Sequence, residues 1–113
     1  MFFESENDPE KDPVIVWTNG GPGAASVYGL FVEMGPYQFT EESLRTDEYN
    51  RTGIPSLFRN PYSWTTFANV LILNSGGPTA WSYCDPAGPS GNASSCGVWN
   101  DTKTAWVNAN FLE

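Results

Sequence analysis

Pro13-Val14-Ile15-Val16-Trp17-Thr18-Asn19-Gly20-Gly21-Pro22-Gly23 decides how this chain folds. Val14-Ile15-Val16-Trp17 is a short, unalternating, β-branched run, and it predicts a strand buried on both faces, as in a parallel sheet. Val70-Leu71-Ile72-Leu73 is a second run of the same kind, and Phe2-Phe3 reads as the stub of another strand. Beyond the glycines, Val27, Leu30, Phe31 and Met34 fall at i, i+3, i+4 and i+7, which predicts one apolar helical stripe. Gly35-Pro36 ends it. Residues 37–66 read as a loop-rich excursion with charges of both signs, and 84–101 as a further loop. Asn100 or Asp101 is placed to cap a final helix through Ala105, Trp106, Ala109 and Leu112. Strand, glycine turn, helix, excursion and strand make an α/β pattern. Two or three strands do not make a doubly covered sheet, so residues 1–113 read as part of a larger, incomplete domain.

The glycine turn invites chemistry. Glycines allow close backbone approach, and successive N–H groups near a helix start bind an anion or a developing oxyanion. A phosphate-binding loop requires a Lys after the glycines, and none follows. Gly21-Pro22-Gly23-Ala24-Ala25-Ser26 matches two of the three glycines of a dinucleotide turn, with Glu41 about 20 residues on. An oxyanion-hole loop after a hydrolase strand fits the same position. A tight turn without chemistry also remains open on the glycines alone.

Composition narrows the classes. The chain has 113 residues, no histidine, and a formal charge of −8. That length holds one domain at most. Without histidine there is no Ser-His-Asp or Cys-His triad within the chain and no histidine metal ligand. The acidic balance argues against a nucleic-acid partner and against docking to anionic membranes. Apolar runs of four residues do not span a bilayer. Nothing calls for a metal or a cofactor. Glu4, Glu6, Asp8, Glu10 and Asp12 against Lys11 read as a solvated acidic turn, not a metal site.

Cys84 and Cys96 lack the C-x-x-C spacing of a redox or zinc site. A disulfide closing their loop fits an oxidising compartment, and two buried or free thiols are the alternative. Three sequons, at Asn50, Asn92 and Asn100, lie in polar, loop-like sequence where glycans are tolerated. Together these lean towards a secreted or a vacuolar or lysosomal protein. Met1-Phe2-Phe3-Glu4 shows no basic n-region and no long apolar stretch, so no secretory signal is expected within the chain as given.

The wider sequence adds a resemblance. Phe2-Phe3-Glu4-Ser5, the Trp17-Thr18-Asn19-Gly20-Gly21-Pro22-Gly23 block, Tyr28 to Pro36, Asn60-Pro61-Tyr62-Ser63-Trp64 and Ala68 to Leu73 occur in an order and spacing that resemble the N-terminal third of the serine carboxypeptidases. The resemblance covers nearly all of the chain. It implies an α/β-hydrolase sheet, of which this chain would carry the first strands, the oxyanion-hole loop and flanking helices. It also implies removal of C-terminal residues from peptides at acidic pH. Gly21 matches the position whose backbone N–H supplies half of the oxyanion hole. Asn19 and Gly20 match positions that bind the terminal carboxylate of the peptide. Glu33 matches the first of two acids that share a proton and bind that same carboxylate. A carboxylate that binds a carboxylate must be protonated, and two clustered acids titrate as a pair. An acidic working pH then follows from the recognition chemistry. A straight helix over 24–33 would carry Glu33 about 13 Å along its axis, far from Asn19. A short helix ending near Gly29, with the chain folding back, is therefore expected.

The chain also departs from the family pattern. No Ser sits in G-x-S-x-G, so the nucleophile elbow is absent, and so are the family's Asp and His and the second acid. After Leu73 the family usually reads D-S-P-A-G-V-G-F-S-Y, and here Asn74-Ser75-Gly76-Gly77-Pro78-Thr79-Ala80-Trp81-Ser82-Tyr83 stands instead. Ala24 replaces a frequent Cys. The expected activity is a serine-type carboxypeptidase acting on peptides through their C-terminal carboxylate, with this chain inactive alone. A related acyltransferase and a non-catalytic truncated copy are the alternatives. Oligomeric state does not follow from the sequence.

Overall fold

The computed structural model describes residues 1–21, 23–85, 87–92 and 94–113. Pro22 of the glycine turn, Pro86 of the 84–101 loop and Ala93 of the second sequon lie outside the described residues. The chain forms two compact units, Met1–Trp17 with Tyr28–Ile72, and Thr18–Val27 with Leu73–Glu113.

The first unit is built on a three-stranded sheet. β1 (Phe2–Phe3) and β2 (Val14–Trp17) flank β5 (Asn69–Ile72), and β3 (Tyr37–Gln38) pairs with β4 (Phe58–Arg59) in a separate two-stranded ribbon. β2 and β5 are parallel, with Ile15 opposite Val70 and Trp17 opposite Ile72, and β1 runs antiparallel to β5. The parallel pairing is the expected one. The expected burial of β2 on both faces is not found: Val14 is 58% and Val16 41% exposed. β2 lies at the edge of the described sheet, and only the face carrying Ile15 and Trp17 is packed. β5, at the centre, points Val70 and Ile72 into the core.

That core joins Val70 and Ile72 to Leu30 and Met34, with Phe3, Trp17, Phe31 and Trp64 packed around them. Trp17 and Trp64 meet edge to face at 5.5 Å between ring centroids, a favoured aromatic geometry. The apolar stripe is thus real at Leu30 and Met34, but it is not one α-helix. α1 covers only Val27–Gly29 and passes into a π-helical turn over Leu30–Met34. The α geometry ends at Gly29 as expected, whereas the fold-back expected there comes only after Met34, at Gly35. Spacings of three and four residues do not distinguish an α turn from a π turn over five residues.

The excursion is more ordered than its sequence implies. Besides β3 and β4 it holds 3-10 turns at Glu41–Leu44 and Trp64–Thr66, and α2 (Asp47–Thr52). Thr46 caps α2 by accepting the Tyr49 N–H at 3.0 Å, and Gly53 ends it in the left-handed region. α2 has no buried residue, so no apolar stripe announced it. The Asn50 sequon lies in this helix, not in a loop.

The acidic turn is also pinned. The Asp12 carboxylate accepts from the Ser5 hydroxyl (2.5 Å), the Asp8 N–H (3.0 Å) and the Asn7 amide. Glu6 accepts from the Thr65 hydroxyl at 2.5 Å and pairs with Arg59. The Ser5 bond and then the Asp8 N–H hold Asp12 below the usual carboxylate range, and the Thr65 bond and then Arg59 do the same for Glu6. A depressed folded pKa gives stability that is complete above the unfolded value and is lost as pH falls through the folded value. The stability advantage of the native protein over Asp12→Asn is therefore expected to be constant above about pH 4.5 and to close below about pH 4. Thermal midpoints of the two proteins at stepped pH check this. A gap that widens on acidification would refute it.

In the second unit Cys84 and Cys96 form a disulfide with Cα atoms 5.3 Å apart. A loop of this length constrains the unfolded chain by roughly 2–3 kcal/mol in the chain-entropy account. Reduction is expected to lower the unfolding free energy of this unit by about that amount, read by hydrogen exchange at its amides with and without reductant. α3 spans Asp101–Leu112, and the Asn100 side chain caps it by accepting the Lys103 N–H at 2.9 Å. The cap is the expected one. Ala105, Trp106, Ala109 and Leu112 are all exposed, and no residue of α3 is buried. No described helix is long and apolar enough to cross a membrane.

Candidate functional site

The sequence-predicted residues fall in two places. Asn19, Gly20 and Gly21 belong to the second unit and Glu33 to the first.

In the second unit the turn after β2 hangs on Ser26. Its buried hydroxyl accepts the Asn19 N–H at 2.9 Å, and its own N–H donates to Asn74 Oδ1 at 2.8 Å. The Ala24 N–H closes the turn on Gly20 O at 3.1 Å. Gly21 takes φ +134°, a conformation closed to L side chains, and an added Cβ would also crowd the Ala24 nitrogen at 3.1 Å. Glycine is therefore required there by the backbone. Gly20 and Gly21 are exposed and Asn19 is half-buried. An exposed glycine backbone leaves room for an anion to approach its N–H groups. Asn74 stands where the family pattern has Asp, and its amide oxygen performs an acceptor's part with no charge. Sequence reasoning missed both Ser26 and Asn74, because a serine after two alanines carries no signal of what it meets 48 residues later.

In the first unit Glu33 sits in the π-helical turn with its side chain exposed. The turn is held through its carbonyls. Asn60 Nδ2 donates to Glu33 O (3.2 Å) and Gly35 O (3.0 Å), and the Ser63 hydroxyl donates to Met34 O (3.0 Å). These are the Asn and Ser of the Asn60-Pro61-Tyr62-Ser63-Trp64 block, whose role its sequence did not reveal.

Of the three sequons, the Asn50, Asn92 and Asn100 residues are all exposed. Asn92 Oδ1 accepts from the Ser94 N–H and hydroxyl at 3.0 and 2.6 Å. Among the described residues no group of three or more Asp, Glu, Cys or His side chains is arranged to hold a metal ion.

Comparison with known proteins supplies the wider frame. Carboxypeptidase Y homolog A of Ajellomyces dermatitidis is 45% identical over 82 residues, covering 73% of this chain and 13% of that protein. Carboxypeptidase Y of Schizosaccharomyces pombe is 45% identical over 84 residues, 74% of this chain and 7% of its own length. Serine carboxypeptidase-like 20 of Arabidopsis thaliana is 37% identical over 111 residues, 98% of this chain and 20% of that protein. The chain thus spans a fifth or less of the relatives it resembles. The profile of the serine carboxypeptidases matches residues 1–113, and the chain belongs to that family.

Proposed function

We propose that this chain is the N-terminal portion of a serine-type carboxypeptidase of the α/β-hydrolase fold, and that it carries one part of the oxyanion hole and one part of the carboxylate clamp. The family membership along the whole chain carries this reading, and the Ser26-fixed turn at Asn19-Gly20-Gly21 supports it. In that reading the Gly21 N–H stabilises the oxyanion of the tetrahedral intermediate, and losing one such donor costs about 2.7–4 kcal/mol of barrier. Asn19 and Gly20 bind the C-terminal carboxylate of a peptide, and Glu33 binds it when protonated. Proton-sharing with a second acid outside this chain sets an acidic working range. The chain holds no histidine and no serine elbow, so alone it hydrolyses nothing. The disulfide and the exposed Asn50, Asn92 and Asn100 sequons fit passage through the secretory pathway, towards a vacuolar, lysosomal or extracellular site.

The test is hydrolysis of an N-blocked dipeptide near pH 5, on the order of the acidic range that carboxylate recognition demands. The longer protein whose reading frame contains these residues is expected to release the C-terminal amino acid and to spare the dipeptide amide. The 113-residue chain is expected to do neither. Turnover by the chain alone, or equal turnover of the amide, would sink the reading. Ester turnover without peptide turnover would assign an acyltransferase, and a stop codon directly after Glu113 a non-catalytic copy.

A further inference from the structure

The π-helical turn Leu30–Met34 is an uncommon device, used mostly as single turns and often at functional sites. A helical segment that ends leaves its last carbonyls without partners inside the helix. Here three successive carbonyls, those of Glu33, Met34 and Gly35, are taken by two side chains from the 60–64 block. Asn60 is 1% and Ser63 0% exposed. The Asn60 side chain is held at both ends, since its Oδ1 accepts the Tyr62 N–H at 3.0 Å, and its own backbone N–H donates to Pro36 O at 2.9 Å. Ser63 Oγ in turn accepts the Thr65 N–H at 3.2 Å, the Thr65 hydroxyl donates to Glu6, and Glu6 pairs with Arg59 of β4. Buried polar groups bonded throughout fix a backbone to one arrangement, because any other leaves an unpaired group in a low dielectric.

We infer that Asn60 and Ser63 are positioning residues for Glu33: they lock the turn's backbone and so fix the point from which the Glu33 side chain reaches a ligand carboxylate. The inference rests on the reading of Glu33 as a carboxylate-binding acid. A stability role alone would predict a different result. Loosening the turn moves Glu33 within a protein that remains folded, and small misplacements of a binding group lower affinity strongly.

The experiment uses the longer protein whose reading frame contains these residues, with N-acetylphenylalanine as probe and its amide as control, followed by NMR at stepped pH. Ser63→Ala removes the hydroxyl that holds Met34 O and adds no charge. It is expected to shift the backbone signals of residues 30–35 and to raise the Kd of the carboxylate probe about tenfold, the size of one lost hydrogen bond. Amide protection in β2 and β5 should persist. Asn60→Leu, which removes the amide that holds Glu33 O and Gly35 O and likewise adds no charge, gives the same readouts should Ser63→Ala not fold. A lower denaturation midpoint with unchanged 30–35 signals and Kd overturns the inference. Glu33→Gln separates the two claims. If the wild-type protein ignores the probe, or Glu33→Gln leaves its pH-dependent binding intact, the reading of Glu33 fails, and the 30–35 signals still decide whether Asn60 and Ser63 lock the turn.

Discussion

Gly35→Ala is expected to cost the first unit about 3 kcal/mol or more, the upper end of overpacking effects. Gly35 ends the π-helical turn with φ −70° and ψ 167°, an extended conformation open to any residue. Its need for glycine is therefore steric. A Cβ built there would lie 2.0 Å from the Leu30 carbonyl oxygen and 2.7 Å from Leu30 Cδ1. The first contact is with backbone and is not relieved by a rotamer change. Leu30 is itself a core residue packed with Met34, Val70 and Ile72, so its retreat would open the core. Gly53 provides the control. It caps α2 at φ +73° with nothing within 4 Å of an added Cβ, so Gly53→Ala meets only the left-handed penalty of about 1–2 kcal/mol. Hydrogen exchange at Val70 and Ile72 measures both variants. Gly35→Ala should lower protection about a hundredfold or more, and Gly53→Ala clearly less, at 1.4 kcal/mol per factor of ten. An equal effect of the two would refute the steric account.

Gly35 also shows where sequence reasoning stopped. Glycine followed by proline marked the end of a helix, and the end is there. The glycine was expected to serve as a helix stop, and it serves as a gap for a carbonyl. The apolar runs at Val14–Trp17 and Val70–Leu73, their parallel pairing, the strand stub at Phe2-Phe3 and the Asn100 cap were all legible, because each rests on local pattern. The candidate site was legible as identities only. Asn19, Gly20, Gly21 and Glu33 were marked by motif, but the residues that hold them were not. Ser26 acts through Asn74, and the Glu33 turn through Asn60 and Ser63, partners 27 to 48 positions away. No local periodicity encodes such contacts. The exposure of Val14 and Val16 was hidden for a related reason, since an apolar run does not say how many layers cover it.

The same blindness applied to Asn69, whose replacement is the second large effect. Asn69 opens β5 and is 3% exposed. Its Oδ1 accepts the Ser5 N–H at 3.0 Å, and its Nδ2 donates to Pro9 O and Asp12 O, each at 3.0 Å. One side chain thereby anchors both ends of the acidic loop to the central strand. Asn69→Ala strands the Ser5 N–H, whose residue is buried, and the Asp12 carbonyl, which is half-buried; Pro9 is exposed, and water replaces the lost donor there. Two unsatisfied groups at about 1–3 kcal/mol each give an expected loss of about 3 kcal/mol. Asn69→Asp separates the bonds from the packing. It preserves volume and the acceptor for Ser5, removes both donors, and sets a negative charge against two carbonyls and the neighbouring Asp12 carboxylate. Burial and like charge raise the folded pKa of the new carboxyl above its unfolded value. An acid raised in this way destabilises most above its folded pKa, and the loss is relieved as pH falls and the group takes up a proton. The stability deficit of Asn69→Asp against the native protein is therefore expected to shrink between about pH 7 and pH 4, in a range where the advantage conferred by Asp12 is still intact. Denaturant midpoints at stepped pH read the difference. A deficit independent of pH would mean that the Asn69 amide fills space at the base of the loop without anchoring it.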